Sequence, residues 1–329
     1  MGSSRLRLTF LTLACATVLG GAAGTVYLNA HASTSTASSP SSAPASASAT
    51  SPATASAPSS SAPADGEASV EPSAEPSVDR DALLAKAVAA VPRTDDTEVA
   101  VSVLDTETGQ KAAYGDGAFA TASIVKVDIL ATLLLQAQEA GRRLTATERT
   151  YATAMIQNSD NASTTALWRV IGRAEGLDAA NERFGLTETE GGDGELWGLT
   201  RTTAADQIAL LRQVFEAEGS ELSTASRAYV QGLMGRIAAG QDWGVSAAGS
   251  SSALKNGWLP RSTTGLWVIN SIGRVVSGGH AYLVAALSQG NATQTAGISL
   301  VEAMAKAAVS VCGESGETGA AAAGAQSSS

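Results

Sequence analysis

The sequence predicts an α/β domain of the α+β kind, in which an antiparallel sheet is flanked by N- and C-terminal helices. Three observations support this fold class. A strand-like hairpin lies near the start of the domain, a helix-rich segment fills its middle, and three strand-like runs with a final amphipathic helix close it. This order of elements is typical of a domain in which helices pack on one sheet.

The domain opens with a helix and a hairpin. Apolar residues recur at helical spacing across residues 79–91, and Pro92 closes that run. Valines alternate with other residues across residues 98–104, which predicts a strand. Residues 105–109 have the composition of a turn, and residues 110–114 are expected to form a second strand that runs back along the first. We therefore expect one helix followed by two antiparallel strands.

The middle of the domain is predicted to be helical. An apolar run extends from residue 124 to about residue 140, and Thr145 with Glu148 forms a capping box that starts another helix. Residues 200–203 are expected to cap a helix through residues 206–216, and residues 223–237 also have a helical pattern.

Strand patterns return towards the end of the domain. Residues 252–258, 266–272 and 282–288 have the alternation or apolar content of strands. Residues 297–311 have the period of an amphipathic helix, so we expect three closing strands and a final helix.

The residues before this domain indicate export. Arg5 and Arg7 precede an apolar run, and residues 30–32 form a small-x-small pattern of the kind that a signal peptidase cuts. The run is also long enough to span a bilayer, which takes roughly 20 residues. Residues 1–32 are therefore predicted to be a signal peptide or an N-terminal membrane anchor, with the domain secreted or attached to the cell envelope.

Two other segments are predicted to be disordered. Residues 33–77 are dominated by Ser, Ala, Thr and Pro, and residues 313–329 by Gly, Ala and Ser. Such segments cannot bury enough apolar surface to offset their chain entropy. The folded domain is therefore expected over residues 78–312, behind a flexible linker.

Composition argues against several function classes. The formal net charge of −10 argues against a nucleic-acid partner. The predicted domain contains one cysteine, Cys312, and one histidine, His280, which allows neither an internal disulfide nor a His/Cys zinc cluster. We predict no metal and no cofactor. His280 lies in a turn between strand-like runs and is expected to be an exposed loop residue. If a serine of this domain is a nucleophile, we therefore expect its base to be a lysine.

Ser123 and Lys126 form the first pattern with chemical meaning. They lie three residues apart at the start of a helix, where both side chains share a face. A hydroxyl beside an amine at a helix N-terminus suits acyl transfer, because the helix dipole favours the developing anion. Taken alone, the pair is also consistent with a capping serine and a surface lysine.

Two more motifs follow along the chain. Ser159-Asp160-Asn161 comes at the end of a helical run, where it is consistent with a helix cap or turn. Lys255-Asn256-Gly257 lies on a predicted strand, where a lysine before glycine is usually an edge residue.

With these three motifs in this order, the chain resembles the penicillin-recognising serine enzymes, and most closely the class A β-lactamases. The resemblance covers residues 78–312. It implies the β-lactamase/transpeptidase-like fold with a reduced all-helical lobe, because Lys126 and Ser159 are closer in sequence than in typical class A enzymes. It also implies a turn between late strands at residues 269–274.

The resemblance implies a serine hydrolase that works through an acyl-enzyme. Ser123 would attack a carbonyl, Lys126 would accept or relay its proton, and Ser159 would pass a proton to the leaving nitrogen. Backbone N–H groups of Ser123 and Trp258 would form the oxyanion hole. The predicted substrate-binding residues are Asn161, Lys255, Asn256, Gly257 and Trp258.

The deacylating base is harder to assign. Counting forward from Ser159 gives Glu195 as the candidate catalytic residue, whereas counting back from the later threonines gives a position nearer Glu188, with Glu190 between them. Glycines in this segment suggest a mobile loop. Asn256 replaces the usual Thr or Ser of the third motif, and Thr264 stands where many class A enzymes have a substrate-binding arginine, so the sequence departs from a working β-lactamase at several points.

Three functions remain open. The first is a β-lactamase-like hydrolase acting on β-lactams or related amides. The second is a D-Ala-D-Ala-type peptidase or other envelope hydrolase on a peptidoglycan-like peptide. The third is a non-catalytic envelope module that binds peptidoglycan, which has no chemical need for the serine and lysines of the motifs. The predicted partner is a small substrate, with membrane contact only through an uncleaved N-terminal segment.

Overall fold

The computed structural model describes residues 78–313. The predicted leader (1–32), the linker (33–77) and the tail (313–329), apart from its first residue, lie outside the described residues. The described residues correspond to the predicted hydrolase domain.

A five-stranded antiparallel sheet forms the centre of the domain. Its strands are β1 (Glu98–Asp105), β2 (Lys111–Tyr114), β5 (Ser251–Pro260), β6 (Trp267–Ser277) and β7 (His280–Asn291), and a separate pair consists of β3 (Phe119–Ala120) and β4 (Arg201–Thr202). The order in the sheet is β2-β1-β7-β6-β5. The first hairpin and the closing strands thus join in one sheet, and β5 is an edge strand.

Helices cover both faces of this sheet. They are α1 (Arg80–Ala89), α2 (Val125–Glu139), α3 (Ala146–Gln157), α4 (Asn161–Val170), α5 (Arg173–Phe184), α6 (Ala204–Phe215), α7 (Thr224–Met234) and α8 (Gln294–Gly313). The predicted capping box is confirmed, because Thr145 and Glu148 each bond the other's backbone N–H. The α+β fold class and its antiparallel sheet are confirmed.

The sheet divides the core into two clusters. Along β7, Leu283, Ala285 and Leu287 pack in the cluster that contains α2, whereas Val284 and Ala286 pack in the cluster with α1 and α8. This alternation follows from the two-residue period of a strand. Among the described helices, α8 is long and apolar enough to span a membrane, but half of its apolar window is buried, as in a core helix.

Helix α2 is buried on almost every side. Its sequence is apolar around the whole helix, and the residues that it buries include Lys126 and Asp128 as well as aliphatic side chains. A helix that is hydrophobic all round belongs in a protein interior. The charged groups of Lys126 and Asp128 are therefore surrounded by protein and not by solvent.

One prediction about the late strands was wrong. Residues 269–274, expected to form a turn, lie inside β6 and are paired with both β5 and β7. Gly273 permits this pairing, since a Cβ there would lie 2.4 Å from the carbonyl oxygen of Ala253. The glycine marks a close backbone approach within a strand, and the turn comes later at residues 278–279.

Candidate active site

Ser123 lies in a tight 3-10 turn that leads directly into α2. The turn spans Ala122–Ile124, and Ala122 has a φ of 49°, a left-handed conformation that is uncommon for a residue with a Cβ. Ser123 is 9% exposed. This turn places the hydroxyl at the N-terminal end of a long buried helix, where the dipole favours negative charge.

The amine of Lys126 is the hub of the site. Its Nζ lies 2.9 Å from Ser123 Oγ, 2.9 Å from Ser159 Oγ, 2.8 Å from the Ser159 carbonyl oxygen and 2.9 Å from Asn161 Oδ1. An ammonium has only three protons for these four oxygens. A neutral amine can likewise satisfy three of these contacts, by donating to the carbonyl and amide oxygens and accepting the proton of Ser123.

Burial favours that neutral form. Desolvation lowers the pKa of Lys126 to about 7, while the negative charge of Asp160 opposes the shift. Lys126 is fully buried. Near neutral pH the amine can therefore act as a base, which an exposed lysine cannot do.

A second buried lysine lies on the other side of Ser159. Lys255 Nζ donates to Ser159 Oγ at 3.0 Å and to the carbonyl oxygen of Asn256 at 2.9 Å. Burial, together with the charge of Lys126, lowers the pKa of Lys255 well below its usual value. The hydroxyl of Ser159 thus bridges the two amines and is placed to move protons between them.

The second motif is a strained turn with a capping residue. Ser159 has a φ of 55°, and Asp160 caps α4 by accepting a hydrogen bond from the Ser163 N–H at 2.7 Å. Asn161 is the first residue of that helix. The aspartate therefore fixes the helix start, and the residues on either side of it face Lys126.

Strand β5 meets the serine turn at Gly257. A Cβ on Gly257 would lie 2.8 Å from the Ser123 amide nitrogen and 2.7 Å from the Thr121 carbonyl oxygen. Only glycine allows such an approach. The contact brings β5 against the serine turn, and the oxyanion hole expected from the Ser123 and Trp258 N–H groups stays a prediction.

Asn270 was not predicted as a site residue. It is fully buried on β6, in register with Gly257, and its Nδ2 donates to the carbonyl oxygens of Ala120 at 2.9 Å and Thr121 at 3.1 Å. It therefore anchors the serine turn to the sheet. The available sequence signal was a polar amide in an otherwise apolar strand.

The structure places the Asn256 side chain away from the predicted substrate role. Its Nδ2 donates to the carbonyl oxygens of Gln241 and Trp243, both at 2.8 Å, and its Oδ1 accepts from Ser271 Oγ at 2.6 Å. The side chain is fully buried. We correct the expectation accordingly: Asn256 holds the 241–243 segment, and its amide has no free group for a substrate.

The structure does not bring Glu195 to Ser123. Its carboxylate is paired with Arg169 at 3.1 Å and Arg173 at 3.0 Å. These arginines lower the pKa of Glu195, Arg169 acting more strongly through its hydrogen bond. The carboxylate thus belongs to a solvent-exposed cluster of ion pairs. Its role as the deacylating base remains a prediction.

The other two glutamates also point elsewhere. Glu188 and Glu190 are exposed, and the backbone of Glu190 pairs with Arg201 to close a loop over residues 190–201, hereafter the 190–201 loop. Two of the glycines in this loop lie where a side chain would collide with neighbouring atoms. A Cβ on Gly191 would lie 2.7 Å from Ala174, and one on Gly192 would lie 2.2 Å from the Leu196 carbonyl oxygen. Gly191 and Gly192 thus permit close packing, whereas Gly194 has a left-handed φ of 57° and a Cβ there would meet no other group within 4 Å.

Trp197 is the residue of this loop that reaches the site. Lys126 Nζ lies 4.9 Å from the centroid of its ring. Sequence reasoning missed it, because an aromatic residue in a glycine-rich segment carries no motif. The described residues contain no group of three or more His, Cys, Asp or Glu side chains suited to a metal ion.

Comparison with known proteins identifies the family and the fold of this chain. The family described as "Beta-lactamase enzyme family" matches residues 144–312, a range that contains Ser159 and Lys255 but not Ser123. No curated protein matches the chain.

Solved structures share the fold. PBP-A is 19% identical, with a TM-score of 0.61, over 72% of this chain and 96% of that chain. A point mutant of PBP-A, described as an acyl-enzyme complex with penicillin-G, is 19% identical, with a TM-score of 0.59, over 72% of this chain and 97% of that chain. A class A beta-lactamase representative from Bacteroides cellulosilyticus DSM 14838 is 14% identical, with a TM-score of 0.61, over 70% of this chain and 98% of that chain.

Proposed function

Because this chain belongs to the beta-lactamase enzyme family, we propose that it is a serine hydrolase that forms an acyl-enzyme on Ser123. One observation carries the proposal. The buried amine of Lys126 contacts the hydroxyl of Ser123 and the hydroxyl of Ser159 at the same distance, 2.9 Å. A nucleophile, a base and a proton carrier are thus already in contact.

Acylation follows from this arrangement. Neutral Lys126 takes the proton of Ser123, whose oxygen forms a bond to the substrate carbonyl carbon, and the carbonyl electrons move to its oxygen. When the carbon–nitrogen bond breaks, Ser159 gives its proton to the nitrogen and regains one from Lys126. The amine ends neutral, and the proton of Ser123 has moved to the leaving group.

The developing oxyanion needs donors as the bond forms. Backbone N–H groups of Ser123 and Trp258 are the proposed pair, supported by the contact of Gly257 with the serine turn. Donors fixed in this way cost no reorganisation during the reaction, and losing one typically costs a hundredfold or more in rate.

The proposed substrates are β-lactams or related amides. Support comes from the family and from the related fold of the PBP-A mutant described with bound penicillin-G. The leader, residues 1–32, supports a proposed place of action outside the cytoplasm, in the envelope or beyond it.

One observation favours a peptidase-like enzyme as the second candidate. Of the glutamates considered for deacylation, Glu195 is paired with two arginines, and Glu188 and Glu190 are exposed. An acyl-enzyme without a carboxylate base beside it releases its acyl group slowly. A D-Ala-D-Ala-type peptidase inhibited by penicillin fits such behaviour. A binding module does not fit, because burying two lysine amines around a serine costs folding free energy, and only a catalytic role gives a reason to keep them there.

Intact-protein mass spectrometry tests the proposal. Purified protein is mixed with penicillin G and sampled from seconds to hours, alongside Ser123→Ala and the exposed control Ser250→Ala. We expect one added penicillin in the wild type and in the control, and none in Ser123→Ala. An adduct that disappears while penicillin is consumed supports a β-lactamase, and a persistent adduct supports the peptidase. No adduct, or the same adduct in Ser123→Ala, would reject the proposal.

A further inference from the structure

The indole of Trp197 has a fixed position above the catalytic amine. Its Nε1–H donates to Thr165 Oγ1 at 3.1 Å, and Thr165 lies on α4, one turn after Asn161. The ring face lies 4.9 Å from Lys126 Nζ. A lysine within about 6 Å of an aromatic centroid is attracted by the ring when it carries its charge.

The loop that carries Trp197 is anchored on several sides. Trp168 Nε1 donates to the Gly194 carbonyl oxygen at 2.8 Å, and the Thr121 N–H, just before the serine turn, donates to the Thr200 carbonyl oxygen at 2.8 Å. The loop is therefore tied both to α4 and to the serine turn. The position of the indole is set by these bonds and not only by its own packing.

The groups around Lys126 come from four parts of the fold. The serine turn supplies the Ser123 hydroxyl, the α4 start supplies Ser159, Asn161 and the charge of Asp160, and β5 supplies Lys255 through Ser159. The 190–201 loop supplies an aromatic face, while its Glu195 faces arginines. Of these groups, Asp160 and the ring favour the charged amine, whereas burial opposes it.

We propose that Trp197 is a positioning residue of the catalytic site, whose ring stabilises the charged form of Lys126 and closes one side of that amine to water. The first effect keeps the amine able to gain and lose a proton near neutral pH despite its burial. The second effect lengthens the life of the acyl-enzyme, because water cannot approach Ser123 past the indole. The lifetime effect rests on the proposed function, and the effect on protonation does not.

The first test measures the titration of Lys126 itself. The midpoint is followed by NMR of the lysine side-chain Cε signals in the purified full chain, with Lys126→Arg used for assignment. In Trp197→Leu, apolar bulk remains but the aromatic face is lost, so we expect the midpoint to fall by about half to one and a half pH units. Trp197→Phe keeps a face and should stay nearer the wild type. A midpoint that is unchanged or raised in Trp197→Leu would overturn the electrostatic part.

Trp267→Leu is the matched control for this titration. Trp267 packs in the other core cluster, with α8, and should leave the midpoint unchanged. Because the titration needs no substrate, it tests Trp197 even if penicillin G forms no adduct with the wild type. In that case the proposed function fails and this inference is still decided.

The second test measures release of the penicilloyl group by intact mass after free penicillin is removed. Trp197→Ala opens the site to water, so we expect its adduct to disappear severalfold faster than the adducts of wild type and Trp197→Leu. Equal lifetimes in Trp197→Ala and the wild type would overturn the part of the proposal that concerns water. A thermal unfolding midpoint and a far-UV circular dichroism spectrum close to those of the wild type verify that Trp197→Ala is folded.

Discussion

Gly257 and Ser123 are in direct backbone contact, and this contact joins the sheet to the nucleophile. A Cβ at Gly257 would lie 2.8 Å from the Ser123 amide nitrogen, closer than real Cβ contacts allow. The register partner of Gly257 on β6 is Asn270, which holds the two carbonyl groups just before the turn. The edge of the sheet therefore fixes the backbone of Ser123 from two adjacent strands.

Gly257→Ala should lower both the stability of the domain and the rate of acylation, the rate by more than the loss of stability explains. The added methyl must push the serine turn away from β5, which we expect to destabilise the domain by about 1–3 kcal/mol, as overpacking usually does. Because the turn supplies an oxyanion donor, acylation by penicillin G should fall on the order of a hundredfold. Thermal unfolding and adduct formation measure the two effects.

Gly232→Ala is the matched control, since Gly232 lies within α7 and its Cβ position meets only the end of the Arg236 side chain at 3.6 Å. It should keep full acylation and not lose stability. Normal acylation in Gly257→Ala would contradict the importance of the contact.

Acylation should depend on the protonation of Lys126. Its pKa is lowered to about 7, mainly by burial, so the fraction of neutral amine rises with pH through that value. We expect the acylation rate to rise through about pH 7 and then to level off. Stopped reactions with penicillin G between about pH 5 and pH 9, quantified by mass, measure this profile.

Lys126→Met should abolish acylation at every pH, while Lys306→Met, on the exposed side of α8, should leave the profile unchanged. A rate that is constant across the range would show that the amine is not the base.

Asp128→Asn should stabilise the protein, and more so at higher pH. Asp128 is buried on α2, and burial raises its pKa from 3.8 to about 8, although a hydrogen bond from the Asn181 amide opposes the shift. Between these two pH values the folded state binds more protons than the unfolded state, so stability falls as pH rises. Asparagine does not titrate and removes this loss.

Thermal unfolding measures the difference between Asp128→Asn and wild type. The gain should be small near pH 4 and largest near pH 8, where it should reach a few kcal/mol. Asp242→Asn, on an exposed residue, should change neither value. A gain that shrinks as pH rises would contradict the assignment.

Glu195→Gln should leave both acylation and release unchanged. The carboxylate pairs with Arg169 and Arg173 at the surface, and no hydrogen bond links it to Ser123 or Lys126 within residues 78–313. Glu188→Gln and Glu190→Gln serve as matched variants of the same loop region. Adduct lifetimes by mass spectrometry give the comparison, and a clearly longer lifetime in Glu195→Gln alone would identify Glu195 as the deacylating base.

Much of the fold could be predicted from local patterns. The capping box at Thr145 and the alternation across residues 98–104 depend on neighbours within a few residues, so they are readable in the sequence. Residues 269–274 were misread, because a glycine beside polar residues has the composition of a turn. Their place in β6 depends on strands on both sides, which local composition does not contain.

The candidate site divides in the same way. The sequence by itself determined that a serine and two lysines occur in an ordered set of motifs, because a motif consists of residue types at fixed spacing along the chain. Only the tertiary structure decided which groups meet. The path of the 190–201 loop turns Glu195 towards arginines and Trp197 towards Lys126. Hydrogen bonds from Trp168 and Thr121, and the close approach of Gly191 to Ala174, help to set that path, and these partners are distant from the loop in the sequence.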